Sequence, residues 1–390
     1  MTQYNIVYGL VWLLAILSLR KNSQPSVYLY LLQVMLLAFF VGFKFQTGYD
    51  WPIYEAHYAA VANGEAFYLE FEFGYGWLVQ IATSMGLTFE QFSAFISIVE
   101  VLFIAFAVRR FFPGYCLVVM AVMYSVPDFY LIPTFSLLRQ GLAVSIFLIG
   151  VYKFFSGNKI IGFVLFAIAC SFHYSVAGGV LLLILVSTVP LSRVTFLLVF
   201  LISVMLYISS FDIIRGIVEV LIVYVNPKYM IYLDRDVFNA SLAYRGAFAL
   251  VSLVFFVCIY TAWLKRDSFA GEQRYERTSV LTYKLAFLGL LVPLIIFGFP
   301  TLSTRYQFFF AIFLVGGALE ALQKLTYASR FVMVFLIAII AYLPFYRFLS
   351  SPLSIVYIPY QSQMFYDHTN STGQDRTNDL LNQLDVLWSK

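Results

Sequence analysis

The chain has 390 residues, 62% of them apolar and only 11% charged, with 42 Phe, 29 Tyr and a mean hydropathy of +0.86. Soluble domains hold about 45–50% apolar residues, so this composition excludes one and implies a polytopic membrane protein. The net charge of +4 gives no reason to expect nucleic acid, and Cys116, Cys170 and Cys258 each lie inside an apolar run, as small core residues rather than disulfide or metal ligands.

A bilayer core offers no water to backbone groups, so spans are expected as helices of roughly 20 apolar residues. The fold class is therefore all-α, a polytopic helical bundle of about twelve spans. Apolar runs fall at 4–19, 27–43, 89–108, 115–132, 137–155, 160–173, 175–189, 194–211, 246–264, 284–300, 306–323 and 331–349. The first run has no basic residues before it and Arg20 and Lys21 after it, which reads as a retained span and not a cleaved signal. The stretch 74–87 is too short to cross and is expected as a half-helix or interfacial helix. The pair 160–173 and 175–189 reads as two short helices meeting at His173.

Loops 44–88 and 212–245 and the tail 350–390 stand outside the bilayer on this scheme, leaving 1–349 as one integral domain. The first loop carries Asp50, Glu55, Glu65, Glu70 and Glu72 against the single base Lys44. If the N-terminus is outside, inner segments hold 14 of the 24 basic residues and four acids. The acidic loop then faces outward, as the positive-inside rule requires. The tail ends in a stretch that fits an amphipathic helix with Leu380, Leu381, Leu384 and Leu387 on one face, a cap for the bundle.

No Walker A loop, GxGxxG, HExxH or CxxC is present, so no cofactor or metal is expected from sequence. Attention falls on polar residues at span ends, which in a membrane protein are functional hypotheses. Arg139 and Gln140 stand about one turn into an apolar helix. Arg139 reads either as a structural pair with a Glu or a carbonyl, or as a forked clamp for phosphate oxygens. Arg305, beside Tyr306, holds the same kind of place, and the two arginines point to one shared anionic ligand. His173 sits at a turn and suits either a structural hydrogen bond or proton handling. Asp50 precedes Pro52 on a turn and reads as a turn former, or as a general base or sugar ligand. Glu72 is flanked by aromatics in FEFGYG, and Glu100 is the one acid deep in a span, expected to pair between helices. Arg245 and the Asp234, Arg235, Asp236 group are weaker candidates in the second loop.

Several segments together resemble the EpsG-like branch of the Wzy-type polysaccharide polymerases. KFQTGYDWPIY is similar to its (R/K)-x3-G-x-D-x3-Y pattern, which includes Lys44, Asp50 and Tyr54. FEFGYGWL is similar to its E-x-G-(F/Y) element, SLLRQGLA to its S-x-R-Q-x-x-A span, SFHYSVA to its F-H-x-S turn and STRYQFF to its late Arg-Tyr element. The likeness runs over about residues 1–330. Lys44 replaces the usual arginine and Phe73 the common proline, and the tail has no counterpart. The resemblance implies a GT-C-like membrane enzyme that joins undecaprenyl-diphosphate-linked repeat units on the periplasmic face of a bacterial inner membrane. The growing glycan is the donor, a sugar hydroxyl of a new unit the acceptor and undecaprenyl diphosphate the leaving group, with a chain-length regulator as a further partner. Arg139 and Arg305, with Lys44 as a third cation, would hold the diphosphate, and the base would be Asp50, Glu72 or His173. The rivals are a polysaccharide flippase or secondary transporter, another lipid-linked glycosyltransferase or envelope acyltransferase, and a structural membrane protein.

Overall fold

The computed structural model describes residues 1–19, 25–65, 71–188, 192–212, 214–217, 240–266, 273–365 and 373–388. Among them regular structure is helical, and the extended pairing is one bridge between Lys44 and Ser362. The Asp234, Arg235, Asp236 group lies outside the described residues, as does Glu70.

The chain divides into two compact units, Met1–Ala177 with Leu325–Lys390, and Gly178–Lys324. The first holds α1 (Thr2–Leu17), α2 (Val27–Gly42), α3 (Trp51–Ala62), α4 (Phe73–Ser84), α5 (Phe89–Phe111), α6 (Cys116–Ser125), α7 (Leu131–Ser136), α8 (Leu138–Phe155) and α9 (Lys159–Phe172). The boundary falls within α10 (Ser175–Thr188). The second unit continues with α11 (Arg193–Ser209), α12 (Leu242–Arg266), α13 (Gln273–Ile295) and α14 (Pro300–Leu319). The chain then returns to the first unit with α15 (Tyr327–Leu349), a 3-10 turn at Pro352–Val356 and α16 (Gly373–Trp388).

Among the described residues, five helices are long and apolar enough to cross a bilayer: Phe89–Phe111, Leu138–Phe155, Leu242–Leu264, Pro300–Gln323 and Tyr327–Leu349. Seven shorter apolar helices accompany them among the described residues, and each of the twelve apolar runs overlaps one of these elements, though 115–132 extends beyond its helix. The chain is a multi-pass membrane protein. Side-chain exposure agrees: α15 is 22% buried along its span and turns Leu336, Ile339, Ile340 and Leu343 outward, where only lipid would satisfy them. By contrast α8 is 67% buried and packs against α5, α7 and α9, which makes it, with the fully buried α6, an inner helix of the first unit.

Local signals explain where elements begin and end. Thr88 and Gln91 form a reciprocal capping box at the head of α5, whose last turn carries Arg109 and Arg110 against the helix dipole. The run 115–132 is not one helix as the hydropathy implied. Pro127 blocks continuation, α6 stops at Ser125, and a 3-10 turn leads to the short α7. Stretch 74–87 becomes the 12-residue α4, about 18 Å long at 1.5 Å per residue and thus well short of a bilayer. The loop before it contains a further 12-residue helix, α3, which begins after Asp50 with Pro52 in its first turn.

Candidate active site

Glu72 is the N-cap residue of α4, and Arg139 is the second residue of α8. They meet across 67 positions of sequence in a salt bridge from Arg139 Nη1 to Glu72 Oε2, with side chains 20% and 8% exposed. The other carboxylate oxygen accepts the backbone N–H of Tyr174 at 3.4 Å, from the turn between α9 and α10. The guanidinium carbon stands 4.0 Å from the centre of the Phe71 ring and 5.8 Å from that of Tyr54. Such cation–π contacts contribute about 0.5–2 kcal/mol, more as water is removed. Gly74 lets this happen: a Cβ there would lie 2.8 Å from the Ser171 carbonyl oxygen, so only glycine allows α4 to start against the end of α9.

His173 closes α9 in extended backbone, and its Nδ1 accepts the Ser175 N–H at 3.2 Å with Ser175 Oγ at 2.7 Å. A neutral ring so held carries its proton on Nε2 and presents a donor there. Asp50 stands at the N-cap of α3, four residues before Tyr54, and is half-buried. Gln140 follows Arg139 and is buried in α8. The structure thus brings Glu72, Arg139, Tyr54 and the His173 turn into one cluster at the ends of α3, α4, α8 and α9.

Sequence reading missed His57. It lies one turn after Tyr54 on α3, is 0% exposed, and packs its ring 4.6 Å from Phe71 and 6.2 Å from Tyr75. Neither ring nitrogen has a hydrogen-bond partner among the described residues. Burial, and then the charge of Arg139, lowers its pKa, so the ring is neutral near pH 7. The available signal was the helix start at Asp50-Trp-Pro52, which sets Tyr54, His57 and Tyr58 on one face at helical spacing.

Lys44 goes elsewhere. Expected as a third cation beside the arginines, it is 6% exposed, donates to Ser97 Oγ at 3.0 Å and to the Thr134 carbonyl, and sits 5.2 Å from the Phe135 ring centre. Its charge neighbour is Glu100 of α5, fully buried, with neither carboxyl oxygen hydrogen-bonded among the described residues. Desolvation lowers the Lys44 pKa to about 7, with Glu100 opposing the shift. The loop around it is stitched to the tail: Phe45 N–H donates to Gln361 O at 2.9 Å, Gln363 N–H to Phe43 O at 2.9 Å and Gln363 Nε2 to Lys44 O at 3.0 Å.

The remaining candidates belong to the second unit. Arg305 and Tyr306 lie in the second turn of α14, both half-buried, with the Tyr306 ring against Gly178 and stacked on Phe309 at 5.9 Å. Arg245, near the start of α12, donates to the Ile208 carbonyl at 2.6 Å and to Ser210 Oγ. That places a cation on the carbonyl end of α11, a helix-capping role.

A sequence model described as the EpsG family matches residues 27–362. The match starts at α2 and runs past α15 into the tail, farther than the likeness of local motifs reached. No curated protein and no solved structure matches the chain.

Proposed function

The chain belongs to the EpsG family, and from that premise we propose that it is a membrane glycosyltransferase of the Wzy type that polymerises undecaprenyl-diphosphate-linked repeat units. In this reading the apolar helices embed the chain in the inner membrane, and the Arg139 cluster faces the periplasm, with the acidic loop on the side poor in basic residues. The observation that carries it is the Glu72–Arg139 pair, a forked cation at a helix end, walled by aromatics and only partly covered.

The chemistry follows from that pair. The acceptor sugar hydroxyl attacks the anomeric carbon of the donor glycan, and the bond from that carbon to the diphosphate oxygen breaks. The bonding electrons leave with the lipid diphosphate. Arg139 is placed to exchange Glu72 for a diphosphate oxygen, where its charge is worth most as the leaving group forms. A carboxylate deprived of its cation is a stronger base, so the same exchange readies Glu72 to take the hydroxyl proton. The alternatives Asp50 and His173 fit less well: His173 offers a donor at Nε2, suited to a phosphate or glycan oxygen. Tyr54 and Phe71 offer ring faces to sugar C–H groups.

The test is purified protein in bilayers with a synthetic lipid-diphosphate repeat unit, the products resolved by length. A ladder of glycans with release of lipid diphosphate is expected. Translocation of the unit with no change in length would replace this reading with a flippase.

A further inference from the structure

The family match stops at residue 362, and α16 lies wholly beyond it. Its first turn nonetheless reaches the loop that leads into the candidate site. Arg376 is 4% exposed and donates from Nη1 to the Pro359 carbonyl at 2.8 Å, and from Nη2 to the Gln46 carbonyl at 2.8 Å and to Gln361 Oε1 at 2.9 Å. The Gly373 N–H donates to Gln46 Oε1 at 2.8 Å. A Cβ at residue 373 would lie 2.5 Å from the Gln46 carbonyl oxygen, so the approach needs glycine. α16 itself rests on the 3-10 turn Pro352–Val356.

What α16 grips is a strained residue. Gln46 has φ +41°, a backbone region that residues with a side chain avoid and that persists only where the surroundings hold it. Both the carbonyl and the side-chain amide of Gln46 are taken up by the first turn of α16. Gln46 lies between Lys44, anchored in the core, and Asp50, the head of α3. The course of the chain at Gln46 therefore sets where α3 begins, and α3 carries Tyr54 to Arg139.

We propose that α16 is a clasp and Arg376 a positioning residue, holding Gln46 in its strained turn so that α3 presents Asp50 and Tyr54 to the acceptor glycan. The activity readout of this proposal rests on the polymerase reading, and the clasp itself has a readout that does not. Full-length Arg376→Ala is compared with wild type by amide hydrogen exchange over residues 44–50 and by polymerisation kinetics. Loss of three charge-assisted hydrogen bonds is expected to raise exchange in that segment and in the stretch of tail at 359–363 that shares Arg376, with the rest of the chain unchanged, and to raise the acceptor KM about tenfold, with kcat nearly unchanged. Arg376→Lys, which keeps the charge and loses the fork, falls between the two. Unchanged exchange, or raised exchange with unchanged KM, overturns the proposal. Failure of both variants to fold overturns it as well, since α16 would then be core. If wild type makes no polymer, the polymerase reading fails, while the exchange data still decide whether α16 clasps the loop.

Discussion

Two carboxylates in the first unit have basic neighbours, and the two arrangements are opposite in character: Glu72 is in a salt bridge with Arg139, whereas Glu100 faces the charge of Lys44 with neither oxygen hydrogen-bonded among the described residues. Glu100 and Lys44 are sealed among α5, α7 and the loop after α2, with the ammonium already shared between Ser97 and Thr134. Glu72 and Arg139 sit at helix ends with the arginine one-fifth exposed and its fork laid on an aromatic face. A sealed charge has no partner to exchange for, so its loss is felt as stability. A charge at a rim can trade one anion for another, so its loss is felt as activity.

The largest effect is expected from unpairing the sealed side. Lys44→Met leaves the buried acceptors Ser97 and Thr134 without their donor and Glu100 without its basic neighbour, at about 1–3 kcal/mol per buried group, and should cost about 3–5 kcal/mol in thermal unfolding of the detergent-solubilised protein. Lys44→Met with Glu100→Leu should recover most of that loss. If Lys44→Met abolished polymer at unchanged stability, the contrast would break, and Lys44 would belong with the active cations.

Next comes the rim. Arg139→Ala should lower polymer formation by about 10²–10³, the scale of removing one preorganised charge from a transition state, with a smaller loss of melting temperature than Lys44→Met shows. Arg139→Lys should recover only part of it, because an ammonium cannot grip two oxygens as a fork does.

A smaller effect separates the two by pH. Lys44 titrates at about 7 in the fold, against an ordinary value of 10.5. Between these values the Lys44 side chain holds its proton more in the unfolded chain than in the native protein, so its own contribution to stability rises with pH across that window. Lys44→Met should flatten this slope, and Arg139→Ala should leave it in place. An unchanged slope in Lys44→Met would mean that Lys44 is not the group responsible.

The sequence displayed the helices that hydropathy alone determines, and it displayed Glu72 and Arg139 as polar residues at span ends. It hid α3, because WPIYEAHYAAVA is short, mixed in polarity and inside a loop, so a window built for spans passes over it. It hid the break at Pro127 because the apolar residues on both sides read as one run. A partnership with a glutamate was one of two readings open for Arg139, and which glutamate could not be read, since positions 72 and 139 are joined by tertiary packing that leaves no local pattern. His57 escaped for the same reason: a lone histidine has meaning only once Phe71 and Arg139 stand beside it.

The central claim is that Arg139 trades Glu72 for the lipid diphosphate, and binding tests it most directly. Glu72→Gln removes the internal competitor while keeping the shape, so a diphosphate of a short-chain polyprenol should bind the variant more tightly than wild type, by about tenfold, while polymer formation falls. Equal or weaker binding by Glu72→Gln would contradict the exchange and leave the pair as a structural bond.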